Sequence, residues 1–200
     1  MEAHEISVEA RRTVHGAGVA DLSAYRVTAG IIALFRSGES GKVHHPALRY
    51  PGELIEPDEL RVGYGVMALT RSVVEKMSLS QFQAIEQSEE GSDFLKASRA
   101  RHLRIALEWI SRSSSNSAGR LAHLWCETHA RLGENSITFQ VPFTQQQMAD
   151  ITGQTTVNVN RVIRDWRDRS ITRGSGEAFE VEWTELATIG RFDPAYLRER

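Results

Sequence analysis

The stretch that most restricts how this chain can fold is TQQQMADITGQTTVNVNRVIRDW, residues 144–166. Its spacing predicts two short helices separated by a tight turn. Thr144 and Gln147 stand at capping-box spacing, so a hydroxyl and an amide can satisfy backbone N–H groups where the first helix starts. Pro142, just upstream, cannot join a preceding ladder or helix, which sharpens that boundary. Met148, Ala149 and Ile151 supply a buried side, and Ala149 is small enough for a second helix to cross closely. Thr152-Gly153-Gln154 breaks the pattern, with Gly153 able to take the positive φ that helix C-caps favour. Thr155 then caps a second helix, in which Val159, Val162, Ile163 and Trp166 recur at helical spacing.

Thr156, Val157, Asn160, Arg161 and Arg164 fall on the other side of that second helix. These residue types suit the edges of bases in a DNA major groove: arginine for guanine, asparagine for adenine, an apolar group for the thymine methyl. Thr144, Gln145 and Gln146 on the first helix, with Thr155 and Asn158 on the second, are placed to meet phosphates, which position a protein without reading sequence. A helical hairpin in an all-α core would show the same spacing, with its arginines and amides merely solvated. The flanking sequence separates the two readings.

Downstream comes RDRSITRGSGEAFEVEW, where Ile171 and Thr172 begin a strand and Gly174-Ser175-Gly176 is a turn signal. Phe179, Val181 and Trp183 alternate with polar residues as a half-buried strand should, and Ile137, Phe139 and Val141 do the same upstream. A strand, two helices and a β-hairpin in that order make a winged helix-turn-helix. From 154 to 173 there are five arginines against two aspartates, in a chain whose formal net charge is -2. Positive charge is therefore gathered where a phosphate backbone would lie.

FTQQQMADITGQTTVNVNRVIRDWRDRSIT resembles the C-terminal DNA-binding module of the Crp/Fnr family of bacterial transcription regulators, and TTVNVNR resembles the recognition helix of one of its subgroups. The likeness extends upstream through RLAHLWCETHARLG and downstream to LATIGRFDPAYL. It implies a two-fold homodimer on a near-palindromic double-stranded operator, its recognition helices one turn of DNA apart, about 34 Å. RNA polymerase or a regulatory protein would be a further partner. Thr156, Val157 and Arg161 match the family's principal base-reading positions. Thr156 and Val157 differ from the charged pair of its best-known member, so the preferred operator is expected to differ, while Arg161 matches.

In the N-terminal half, VTAGIIALFRSGESGK, YPGELI and MALTRSVVEKMSLSQF resemble successive stretches of the family's sensor domain. The expected fold is α+β: a short, cyclic-nucleotide-binding-like β-roll, a long dimerisation helix and the winged helix-turn-helix. The expected divisions are 1–91, 92–117 and 118–200. Residues 1–23 read as a loose arm or one short helix, and β-structure spans about 27 to 77. YRVTAGIIALFR suggests strands joined through a bend at Gly30, and 66–69 with 70–74 two antiparallel strand pieces. Family members that bind cyclic nucleotides cradle the phosphate with a short helix after a Gly-Glu and an arginine before a small residue. Here Gly52-Glu53 and Arg61 are present, but Val62 follows the arginine, and Glu56, Asp58 and Glu59 would repel an anion. PGELI is read as an ordinary turn and strand, and cyclic-nucleotide dependence is not expected.

A helix from Leu79 to Glu89, capped by Ser78 or Ser80, precedes a longer one from about 93 to 111. In the longer helix Ala97, Ala100, Leu103, Leu107 and Ile110 keep the seam spacing of a two-stranded coiled coil, while Phe94, Leu95, Ile105 and Ala106 are expected to pack on the roll. SRSSSNS, 111–117, reads as a hinge. A helix over 118–131 opens the C-terminal domain and one over 186–197 closes it.

Composition sets outer limits. Two hundred residues with 40% hydrophobic and 25% charged content suit a soluble globular chain. There is no apolar run of membrane length and no signal-peptide stretch in MEAHEISVEARR, so a cytoplasmic protein is expected. A single cysteine allows no internal disulfide and no cysteine-ligated cluster. His123, Cys126 and His129 have a spacing that could ligate a metal, yet they lie in a helix whose neighbours face a core, and the packing reading is preferred. No metal or cofactor is expected. Without a nucleophile elbow, phosphate loop or HExxH motif, no catalytic residue is assigned. The competing class is a protein-interaction module in which the winged helix survives only as a scaffold.

Overall fold

The structure is a computed structural model that describes residues 4–19, 21–38, 43–133, 138–175 and 178–198. Most of the 37–42 turn, together with Ile137 and Gly176, lies outside the described residues. The chain divides into two compact units, Met1–His102 and Leu103–Arg200. The sequence division set the long helix apart as 92–117; in the fold the boundary falls inside that helix.

Among the described residues the first unit contains eight strands in two antiparallel sheets. The strands are β1 (His4–Val8), β2 (Thr13–His15), β3 (Ala24–Ala29), β4 (Ile32–Ser37), β5 (Val43–Arg49), β6 (Leu54–Ile55), β7 (Gly65–Ala68) and β8 (Ser72–Met77). One sheet has the order β1-β8-β3-β6 and the other β2-β7-β4-β5. Apart from the β4–β5 hairpin, successive strands alternate between sheets, as in a jelly roll. The two pieces of YRVTAGIIALFR accordingly become β3 and β4 in different sheets, turning at Gly30. The expected pairing of 66–69 with 70–74 does not form: β7 pairs with β2 and β4, and β8 with β1 and β3.

The loose arm expected over 1–23 is also corrected. His4 to Val8 pair with Lys76 to Ser72, and β2 pairs with β7. These strands lengthen a roll that was expected to be short and to span only about 27 to 77. Its interior is filled by Val8, Tyr25, Val27, Ile32, Leu34, Ile55, Leu60, Val66, Ala68 and Val74.

PGELI forms a turn and then β6, as expected, and a short helix, α1 (Pro57–Arg61), follows it. Glu56 and Glu59 close a capping box at its start. The acids expected to repel an anion are mostly engaged internally. Glu56 takes Arg99 Nη2 at 2.6 Å, Glu59 pairs with Arg49, and buried Glu53 lies 3.4 Å from Arg101 Nη2 and 3.9 Å from His102 Nε2. Arg61 is exposed and pairs with Asp58 at 2.8 Å.

Helix α2 (Leu79–Gln87) starts from a Ser78–Gln81 capping box. Ser88 interrupts it, and α3 (Glu89–Arg112) begins four residues before the expected start. Leu95 joins Ala24, Leu54, Met77 and Phe82 in a second core cluster. Of the other residues expected to pack beside it, Ile105 is buried but Phe94 and Ala106 are exposed. Each is one residue from a buried neighbour, a rotation of about 100° around the helix.

The second unit holds the rest of α3, α4 (Ser117–Leu132), β9 (Thr138–Gln140), α5 (Gln145–Thr152), α6 (Thr156–Asp168), β10 (Thr172–Ser175), β11 (Ala178–Val181), α7 (Trp183–Gly190) and a 3-10 turn at Pro194–Leu197. The serine-rich run is a tight link rather than a long hinge: Ser115 N–H bonds to Arg112 O, and Asn116 caps α4 through Gly119 N–H at 2.8 Å. Trp183 begins α7 instead of ending a strand, and the single tail helix expected over 186–197 is split in two. Gly190 is where α7 meets α4 backbone to backbone, since a Cβ there would stand 2.8 Å from His123 N.

Candidate nucleic-acid interface

Trp125 on α4 is the residue on which the helix-turn-helix is assembled. Its ring lies 5.4 Å from Trp166 of α6, 5.7 Å from Phe139 of β9 and 5.3 Å from Phe179 of β11. Its indole N–H points to Met148 Sδ of α5 at 3.2 Å. One buried side chain therefore touches both helices of the motif and two strands of its wing. Sequence reasoning missed this role, although an apolar face on α4 with a large aromatic at its centre was a usable signal.

The motif itself forms as its spacing predicts. Thr144 Oγ1 accepts from Gln147 N–H at 3.2 Å, and Gln147 Oε1 accepts from Thr144 N–H at 2.7 Å. Met148 and Ala149 are buried, and Ile151 half-buried. The turn passes through Gly153 at φ 65°, and Gln154 N–H bonds back to Ala149 O at 2.8 Å. Two side chains, one from α4 and one from the turn itself, hold this turn to α4. Arg120 Nε donates to Thr152 O at 3.0 Å, and Gln154 Nε2 donates to Ser117 O at 3.1 Å. Thr155 Oγ1 caps α6 by accepting from Asn158 N–H at 3.2 Å.

Helix α6 buries Val159, Val162, Ile163 and Trp166. Val157, Asn160, Arg161 and Arg164 are exposed together, while Thr156 and Asn158 are half-buried. Thr144 and Thr155 spend their oxygen lone pairs on caps, yet each hydroxyl hydrogen remains available to a phosphate oxygen. Gln145 is exposed. Gln146 instead turns back along α5 and donates to Asp150 Oδ1 at 2.8 Å.

The wing is an antiparallel sheet in the order β10-β11-β9. Phe179 stands opposite Phe139 in it, and both rings are buried under α4 and α7. Arg173 is exposed on β10. Among the described residues Arg161, Arg164, Arg167 and Arg173 have no carboxylate partner. Arg169 differs, lying 3.6 Å from Asp165 and 3.0 Å from Glu185. Among the described residues, four of the five arginines of 154–173 therefore carry no ion pair.

The histidines and cysteine of α4 go to separate partners. His123 is edge-on to Trp109 and stacked with Tyr196, and His129 stacks on Trp183 at 3.9 Å. Cys126 is buried, which pushes its thiol up to about 12. Among the described residues no group of three or more His, Cys, Asp or Glu is arranged to hold a metal ion. No helix among them is long and apolar enough to cross a membrane.

A capped two-helix motif with an antiparallel wing, carried by a chain whose other unit is a double-sheet β-roll, defines a winged helix-turn-helix protein. Residues 119–187 match the Crp-like helix-turn-helix domain. The chain has the fold of the Crp/Fnr family of transcription regulators. Among solved structures it is similar to FixK2 from Bradyrhizobium japonicum, with 20% identity and a TM-score of 0.81 over 94% of this chain and 98% of that one. A CRP-family transcriptional regulator from Thermus thermophilus, TTHB099, gives 15% identity and 0.78 over 94% and 97%. A CooA mutant from Carboxydothermus hydrogenoformans gives 13% and 0.77 over 94% and 88%. Among curated proteins nothing matches the sequence. The likeness to FixK2 runs over nearly all of both chains, so the roll is not cut short relative to that protein.

Proposed function

We propose that the protein is a cytoplasmic, sequence-specific DNA-binding transcription regulator that acts as a homodimer, by binding alone and without a catalytic step. In this reading Thr156, Val157, Asn160, Arg161 and Arg164 face base edges. Thr144, Gln145, Gln146, Thr155 and Asn158 face the phosphates, with RNA polymerase or a regulatory protein as a further partner. The observation that carries it is the pairing of a capped α6 with four arginines that, among the described residues, no carboxylate neutralises. A cationic helix face held clear of the core is what a major groove requires.

The dimer seam would run along α3 through Ala97, Ala100, Leu103, Leu107 and Ile110. Leu103 is 61% exposed, Leu107 56% and Ile110 67%, at i, i+4 and i+7. Three large apolar side chains in one stripe suit a second copy of the same helix. Regulation would not use a cyclic nucleotide. The arginines of β5 and α3 are engaged by the acids around α1, and apolar side chains fill the roll.

Selection of bound duplexes from random DNA by the full-length chain tests the central reading. A near-palindrome with half-sites about one helical turn apart is the expected outcome. Recovery of unrelated sequences at moderate ionic strength would leave the interaction-module reading in its place. Cyclic AMP should leave the thermal midpoint unchanged, and a rise of several degrees would refute the proposed independence.

A further inference from the structure

Val157 is the one feature of the α6 surface that hydration and charge do not explain. It is 73% exposed, in the first turn of the helix, four residues before Arg161 and three before Asn160. As a β-branched residue it favours the helix less than alanine would, so local propensity does not account for it either. The surface around it is polar and cationic, with Arg161 and Arg164 exposed on the same side. An occupant must therefore offer an apolar group embedded in an anionic groove. In the DNA major groove the unmodified bases offer one such group, the 5-methyl of thymine.

We infer that Val157 reads a thymine methyl group beside the base taken by Arg161, so that part of the operator is recognised by methyl burial rather than by hydrogen bonds. The inference rests on the assignment of α6 as the reading helix. Side chains four apart on a helix stand about 5–6 Å from each other. Base pairs are stacked about 3.4 Å apart, so the two contacts fall within one or two base-pair steps. A methyl-based contact also makes a chemical forecast. Removing the thymine methyl, with every Watson–Crick group retained, weakens binding, and 5-methylcytosine at the same place binds better than cytosine.

The experiment uses duplexes selected from random DNA by the full-length chain and resynthesised with deoxyuridine in place of one thymidine at a time. One thymidine per half-site should show a loss of about fourfold on demethylation, the scale of one buried methyl group, and replacing both should lose about tenfold or more. The penalty should vanish in Val157→Ala and persist in Val157→Ile. Both variants should fold, because the position is exposed and neither residue strains a helix. If no thymidine within two base pairs of the Arg161-dependent base shows a penalty, or if Val157→Ala keeps the full penalty, the inference is overturned while DNA reading stands. If the chain selects no sequence at all, the DNA assignment fails and takes this inference with it.

Discussion

Trp109 on α3 donates its indole N–H to Glu127 Oε2 on α4 across 3.0 Å. The same oxygen accepts from Tyr196 O–H at 2.8 Å, and Oε1 accepts from Arg131 Nη1 at 2.7 Å. Within the second unit, one buried carboxylate therefore ties the end of the long helix, α4 and the C-terminal turn together. Arg104 reinforces the tie by donating to Tyr196 O at 3.1 Å, and Arg112 by donating to Arg191 O at 2.7 Å. Burial alone would push the Glu127 carboxyl up. Its hydrogen bond with His123, the charges of Arg131 and His123 and the bond from Tyr196 outweigh that and hold it at about 2.

That depression gives a pH dependence with a definite sign. An acid held below its ordinary 4.5 stabilises the fold while it is ionised in both states. The contribution is complete above pH 4.5 and is lost as pH falls from there toward about 2. Its size is about 3 kcal/mol by linkage. Chemical denaturation followed by tryptophan fluorescence at successive pH values should show it as a steeper acid loss in wild type than in Glu127→Gln. Parallel pH profiles for the two proteins would refute the assignment.

Arg161→Ala should weaken operator binding by about 1–3 kcal/mol and relax preference at one base pair per half-site. Its thermal midpoint should match wild type, because the side chain is exposed and makes no ion pair among the described residues. Competition binding against a set of single-base operator variants reads both effects. Wild-type affinity in the variant would move the reading surface elsewhere.

Arg173→Ala on the wing should weaken binding almost equally on all sequences and lower the slope of log affinity against log salt by about 1, the signature of one lost phosphate contact. Titrations from low to moderate salt measure that slope. A change in sequence preference with an unchanged slope would show that the wing reads bases instead.

Leu107→Asp places a charge in the exposed stripe of α3. Since Leu107 is 56% exposed in the single chain, the substitution should leave each subunit folded. Sedimentation should show a monomer, and affinity for a two-half-site operator should fall towards that for one half-site, because linked sites bind far more tightly than separate ones. A dimer of unchanged stability would place the seam on another face.

How much of this was legible beforehand follows the distance between interacting residues. The two helices of the motif, their Thr144 and Thr155 caps and the Gly153 turn could be read directly, because each rests on groups within four residues of one another. The outer face of α6 was equally legible, since helical period alone places Val157, Asn160, Arg161 and Arg164 together. Local pattern also misled. Alternation carried Trp183 into a strand, whereas it starts α7 and stacks on His129. The second partner of Arg169 was not legible, because Glu185 lies sixteen residues away.

The sequence by itself determined α5 and α6, their caps and the residue types on the outer face of α6, for these follow from spacing along a single turn or two of backbone. Tertiary structure alone decided that His4–Val8 and Thr13–His15 are strands, through partners such as Lys76 opposite His4 and Val66 opposite His15. It alone decided that Glu53 and Glu56 neutralise arginines of α3, and that Trp125 and Glu127 are the fixed points of the second unit. The physical reason is that a strand edge, a buried carboxylate or a central indole is defined by what lies against it. In this fold those partners stand tens of residues away, where no local period records them.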